Sequence, residues 1–219
     1  LGKRDTIVIR GENIIARVGN GLKKIVIGAH YDAYEDSPGA NDNGSGVAVA
    51  LALLNHFKNE DMKHTLEVCF FDKEEEGCFG SANYIKQFAI AAKHLTYINL
   101  DVVGSGDEVY IGPIGGGDDM IVMPIVREAM RMFPYKYVER AEYPPSDYLP
   151  FAAVRLENIS ISVVPEGDGK RLALYTKNNG VVADTLADFP RVLTVIHTSL
   201  DRSKYVSPHS LKMAFEFTR

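Results

Sequence analysis

The chain has 219 residues, 46% hydrophobic and 24% charged, which suits one globular domain with a full core and excludes disordered and collagen-like classes. A formal charge of -5 without any extended run of Lys or Arg argues against nucleic acid as a partner and favours a small polar or peptide ligand. The longest apolar stretch, VAVALALL at 47–54, is far shorter than the roughly 20 residues of a membrane span.

In chain order, TIVIRGENIIARVGNG (6–21) carries two β-rich runs around GEN and predicts a hairpin at a sheet edge. KKIVIGAHYD (23–32) follows, its IVI core typical of a strand buried on both faces. SGVAVALALLNHFKN (45–59) has helical spacing with Ser45 as a plausible cap. The alternation continues with strand TLEVCFFD (65–72), helix SANYIKQFAIAAK (81–93) and strand LTYINLD (95–101). A strand at 108–113, a helix at 120–133 with Pro124 near its start, and a strand at 157–164 come next. The last element is a helix at 207–217, with Ser207 as cap and Pro208 at the first helical position.

Alternating strands and helices predict an α/β fold, with a mixed, mostly parallel sheet covered by helices on both faces. There is no internal repeat or linker, so residues 1–219 read as a single domain. Two cysteines, Cys69 and Cys78, lack CxxC spacing and are expected to be unpaired. The chain begins at Leu1 without a recognisable apolar leader, which leaves the compartment of this soluble protein, extracellular or cytoplasmic, open.

In a parallel sheet the carboxyl ends of the strands share one edge, where open α/β proteins bind ligands. His30 and Asp32 follow the IVIGA strand, Glu74 and Glu75 follow VCFFDK, and Asp101 ends YINLD. Asp42, in GANDNGSG, leads into a helix N-terminus. Three consecutive glutamates repel one another, and a cation offsets that repulsion. Imidazole and carboxylate together suit zinc, manganese or cobalt. Each stretch has a plainer explanation: EEEG as a solvated turn, NDNGSG as an Asn-Gly turn and cap. A calcium loop is excluded, because Gly39 and Ala50 occupy its first and last ligand positions. IGGGDDM (114–120) lacks the Gly-Lys-Ser/Thr ending of a phosphate loop, and no Gly-x-Ser-x-Gly elbow is present. His56, His64, His94 and His209 read as surface residues.

Taken in order, GAHYD, SPGANDNGSGVA, EEEGCFGS, NLD and IHTSLD resemble the zinc aminopeptidases of the M28 peptidase family, over residues 24–201. The resemblance implies the three-layer zinc-exopeptidase fold, two zinc ions per chain with cobalt or manganese as substitutes, and peptide substrates with a free N-terminus. By it, His30, Asp42 and Asp101 hold one ion, Asp42, Glu75 and His197 the second, and Asp42 bridges them. Asp32 accepts the other N–H of the His30 ring. Three ligand carboxylates and a bridging hydroxide then balance two zinc ions. Glu74 is the general base and acid, and the hydroxide is the nucleophile. Val102, Tyr148, Phe151 and Ile196 are expected around the first substrate side chain, although core packing accounts for them equally well. The resemblance also implies a cis peptide between Asp42 and Asn43. Some relatives have a Tyr before the last metal histidine, where this chain has Ile196. Two other readings of the same fold stay open: a glutaminyl-cyclase-like acyltransferase with one zinc, and a catalytically silent binding module.

Overall fold

The computed structural model describes residues 10–89, 95–114, 122–181 and 188–219. Seven strands form one sheet in the order β1-β3-β2-β4-β7-β5-β6. They are β1 (Ile14–Val18), β2 (Lys24–His30), β3 (Thr65–Phe71), β4 (Leu95–Leu100), β5 (Glu108–Gly112), β6 (Lys136–Glu139) and β7 (Glu157–Val164). The four central strands β3, β2, β4 and β7 run parallel. β1 adds to β3 antiparallel, β5 adds to β7 antiparallel, and β6 runs parallel to β5 at the far edge. The first run of the expected hairpin, 6–9, lies outside the described residues; the second forms the edge strand β1.

Side chains that alternate along each central strand divide into two cores, as a period of two requires. Ile27, Val68, Phe70, Val109, Ile111, Ile159 and Ile161 face one side. There they meet Val49, Ala50 and Leu53 of α1 (Gly44–Phe57), Met123 and Met130 of α3 (Val122–Met132), and Met213, Ala214 and Phe217 of α6 (Pro208–Thr218). Val26, Cys69, Phe71, Tyr97, Tyr110 and Val164 face the other. They pack on Tyr84 of α2 (Phe79–Tyr84), Phe151 of α4 (Tyr148–Ala153) and Leu172 of α5 (Asp168–Lys177). A single π turn, Ile85–Ala89, continues α2. The result is a sheet between two helical layers, the architecture expected from the sequence.

The cap of α1 differs from the expectation. Asn43, not Ser45, is the N-cap, and its side chain accepts from the Gly46 N–H. Ser45 lies within the first turn, where its hydroxyl donates to the Asn41 carbonyl at 2.6 Å and accepts from the Val103 N–H at 3.0 Å. Gly46 allows this junction: a Cβ there would stand 2.6 Å from the Leu100 carbonyl oxygen. The start of α1 is thus seated on the end of β4, which brings Asp42 towards Asp101. Ser207 and Pro208 begin α6 as expected. Both cysteines are free, and among the described residues no helix is long and apolar enough to cross a membrane.

One charged group is buried in the sheet away from the strands' carboxyl edge. Glu67 of β3 pairs with Arg17 of β1 and Lys24 of β2 and accepts from the Tyr84 hydroxyl. Burial favours its neutral form, but the bonds from Lys24, Tyr84 and Arg17 outweigh burial and hold its pKa below the usual glutamate value. A carboxylate with a depressed folded pKa stabilises the fold above its unfolded pKa, and that contribution disappears as pH falls through the folded one. Glu67→Gln is therefore expected to cost about 1–3 kcal/mol at neutral pH. In urea titrations the gap from wild type should close below the ordinary glutamate range.

Candidate metal centre

The chain leaves β2 for β3 on one side and then returns to β4 on the other, so a crevice opens at the carboxyl ends of β2 and β4. His30 is the last residue of β2, and its Nε2 lies 3.1 Å from Asp42 Oδ1 and 3.5 Å from Asp101 Oδ1. His197 Nε2 lies 2.9 Å from the other Asp42 oxygen, Oδ2, and 3.3 Å from Glu75 Oε2. The two oxygens of one carboxylate thus face two histidines. Two triads result, His30–Asp42–Asp101 and Asp42–Glu75–His197, each with ligand atoms within 4.8 Å of one another. His30, Glu74 and Glu75 satisfy the same criterion.

The loops around these residues are held from behind. Asp201, itself buried, accepts the backbone N–H of Asn41 at 2.7 Å and of Asp42 at 2.9 Å through its two oxygens. The Asp42–Asn43 peptide is cis. Asp32 accepts the N–H groups of Glu74 and Glu75 at 3.1 and 3.2 Å, so it anchors the glutamate turn to the end of β2. Its expected bond to the imidazole is shared differently: His30 Nδ1 is 3.1 Å from the Asp32 main-chain oxygen and 3.5 Å from its carboxylate. A relay of buried polar groups, Tyr97 to Asn99 to Ser146 to Asp101, ends at Asp101 Oδ2 at 2.7 Å. His197 is half exposed and stacks on Tyr34, ring centroids 4.6 Å apart. Val102 and His197, next to and within the triads, both have positive φ (56° and 58°), a conformation rare for non-glycine residues.

The electrostatics are those of crowded anions. Burial, and after it the charge of Asp101, pushes Glu74 up to about 9. Burial and the neighbouring Asp42 push Glu75 to about 7. Asp42 is itself buried, yet the hydrogen bonds from His197 and His30 overcome that and keep it well below the usual carboxylate range. Burial opposes a charge on His30, but bonds to Asp101, Asp32 and Asp42 raise its pKa nonetheless. The bond to Asp42 raises His197. Of four buried side-chain oxygens without a hydrogen-bond partner among the described residues, two, Glu75 Oε1 and Asp101 Oδ1, belong to the triads, one to each. Orphaned carboxylate oxygens with imidazoles beside them fit divalent cations, which supply the missing partner for both.

Beside the centre lies a cavity of about 380 Å³, lined by Glu74, Glu75, Gly77, Cys78, Pro145, Leu149, Pro150 and His197. Val102, Tyr148, Phe151 and Ile196, expected around the first substrate side chain, are not among the residues lining this cavity. Phe151 is fully buried and stacks on Tyr97 at 3.7 Å; Tyr148 and Ile196 are buried in the same cluster, and Val102 packs against it. Ser146 and Asp147, which immediately precede Tyr148, had no role assigned from the sequence alone. Asp147 is fully buried, accepts from Ser81 at 2.5 Å, and is raised to about 7 by burial. Asp201 stood in IHTSLD without a role. His56, His64 and His209 are exposed, and His94 lies outside the described residues.

The profile of peptidase family M28 matches residues 13–219. The chain belongs to peptidase family M28. Among the curated relatives it matches, aminopeptidase YwaD of Bacillus subtilis is 30% identical over 135 residues, 58% of this chain and 29% of that protein. The probable lipoprotein aminopeptidase LpqL of Mycobacterium tuberculosis is 34% identical over 106 residues, 46% of this chain and 21% of that protein. The matches thus span less than a third of these relatives. Of solved structures, BSAP, a zinc aminopeptidase from Bacillus subtilis, superposes with a TM-score of 0.74 at 23% identity, over 94% of this chain and 48% of that one. An Acidobacteriales bacterium glutaminyl cyclase gives 0.69 at 19% identity, over 94% and 70%. These two likenesses concern the fold.

Proposed function

We propose that this M28 chain is a metal-dependent aminopeptidase that removes the N-terminal residue of peptides. The observation that carries the reading is Asp42, whose two oxygens face two separate imidazoles at 3.1 and 2.9 Å, each completing a triad with one further carboxylate. That arrangement favours two ions over the single zinc of an acyltransferase reading, and a full set of donors speaks against a silent binding module. His30, Asp42 and Asp101 would hold one zinc, and Asp42, Glu75 and His197 the other. Bound there, the ions supply Lewis acidity that lowers the pKa of a water and polarises the scissile carbonyl.

The chain's own residues do the rest. Glu74 takes a proton from the water as its oxygen attacks the carbonyl carbon, and passes that proton to the amine nitrogen as the C–N bond breaks. Water, peptide, shortened peptide and free amino acid balance without any further reactant. The acidic character of the site attracts the free α-ammonium of the substrate. The adjacent cavity, with Gly77, Cys78, Pro145, Leu149 and Pro150 on its wall, suits an apolar first side chain.

The direct test is hydrolysis of a panel of aminoacyl p-nitroanilides, with and without chelator and with zinc restored. Chelator-sensitive release from unblocked, but not N-acetylated, substrates is expected. Activity indifferent to chelation would sink the reading. In the same assay His197→Ala is expected to reduce bound zinc from two ions to about one per chain and to lower kcat by at least tenfold, measured by elemental analysis beside kinetics.

A further inference from the structure

Cys78 sits where a glycine would be easier. Its backbone is left-handed, with φ 57° and ψ 34°, a conformation disfavoured for any residue with a Cβ. The strained residue is fixed from both sides: its N–H donates to the Glu74 carbonyl at 2.9 Å, and its own carbonyl accepts from the Ala82 N–H at 3.0 Å. The Ser81 hydroxyl, 2.5 Å from Asp147 Oδ1, also lies 3.1 Å from the Cys78 carbonyl. Asp147 and Ser81 thus tie this turn to the start of α4. The consequence is that the thiol turns back onto the glutamate four residues earlier, with Sγ 3.6 Å from Glu74 Oε1. Among the described residues it is the one hydrogen-bond donor to that carboxylate. Both side chains line the 380 Å³ cavity, together with Glu75, whose Oε1 is buried without a partner.

Resting on the aminopeptidase reading above, we propose that Cys78 is a positioning residue for Glu74: its S–H engages Oε1 and leaves the second oxygen of the carboxylate to move the proton. Burial, and then the charge of Glu74, pushes the Cys78 thiol far up, so it stays protonated and acts as a donor rather than as a nucleophile. A thiol is a weak donor, and its contribution is correspondingly modest.

Cys78→Ala is expected to lower kcat by about three- to tenfold, and Cys78→Ser, which keeps a donor, to retain kcat within about twofold. In a Glu74→Gln background the alanine substitution should change the residual rate no further, since its effect runs through Glu74. An equal loss in both backgrounds, or no loss in either, overturns the proposal. A second readout needs neither zinc nor turnover. The infrared S–H stretch of Cys78, assigned by its absence in Cys78→Ser, should shift to the free-thiol position in metal-free Glu74→Ala; an unmoved band overturns the contact. Wild-type protein inactive on every aminoacyl substrate would refute the aminopeptidase reading, while the infrared result would still decide whether the thiol holds Glu74.

Discussion

Glu74→Gln is expected to lower kcat by about a hundredfold or more on a hydrolysed aminoacyl p-nitroanilide, with zinc content unchanged. Glutamine keeps the shape and the acceptor facing Cys78 but cannot take a proton at neutral pH. Glu74 stands outside both triads that share Asp42, although it lies close to His30 and Glu75. Loss of zinc in the variant would recast Glu74 as a ligand, and near-normal turnover would remove it from the reaction. The same substitution has an opposite effect on the metal-free fold. Burial and Asp101 raise the Glu74 pKa from 4.5 to about 9. A raised folded pKa means that stability is fully present below the unfolded value and declines as pH rises towards the folded one. Metal-free Glu74→Gln should therefore melt above wild type, by a margin that widens from about pH 5 to about pH 9. A loss of activity together with a gain in apo stability separates a functional acid from a structural one.

The central strands could be read from the sequence because burial on both faces leaves nearly continuous apolar runs, as in KIVIGAH and TLEVCFF. β6 escaped because KYVE is a short edge strand with one buried residue, and α4 because Pro150 and a length of six residues hide any period. α5 follows the turn at Gly167 and buries only Asp168, Gly169, Leu172 and Ala173, so its helical stripe is faint. His30, Glu75 and Asp101 were legible as polar groups at or just after strand ends, a position that topology alone makes functional, and Asp42 as a group leading into a helix N-terminus; His197 follows no strand, and only the resemblance pointed to it. Their supports were not. Asp147, Ser146, Asn99 and Asp201 act through contacts between segments far apart in the chain, and no local spacing announces them. Phe151 was expected near the substrate only through the resemblance, with core packing an equal account; its ring is buried, stacked on Tyr97 and Tyr84 and tilted against Phe71, contacts across the chain that no local pattern displays.

If the proposed pair of ions is right, Asp42→Ala is expected to affect both, where His197→Ala affects one. Asp42 is the member common to the two triads, and its replacement removes an oxygen from each while leaving His30 and His197 in place. Replacement of partners behind a metal ligand typically weakens metal binding ten- to a hundredfold; loss of a shared ligand should exceed about a hundredfold at both positions. Equilibrium dialysis against a graded zinc buffer should show two binding steps in wild type and weak or no binding in the variant, with kcat falling alongside. Asp42→Asn, which keeps the size of the side chain and removes its charge, separates geometry from electrostatics: if it binds as poorly as alanine, the anionic charge between the imidazoles dominates. A variant without Asp42 that still retained two ions would mean that the ions are held elsewhere. The acid-rich rim at the ends of β2, β3 and β4 would then need a different cation to explain its orphaned oxygens.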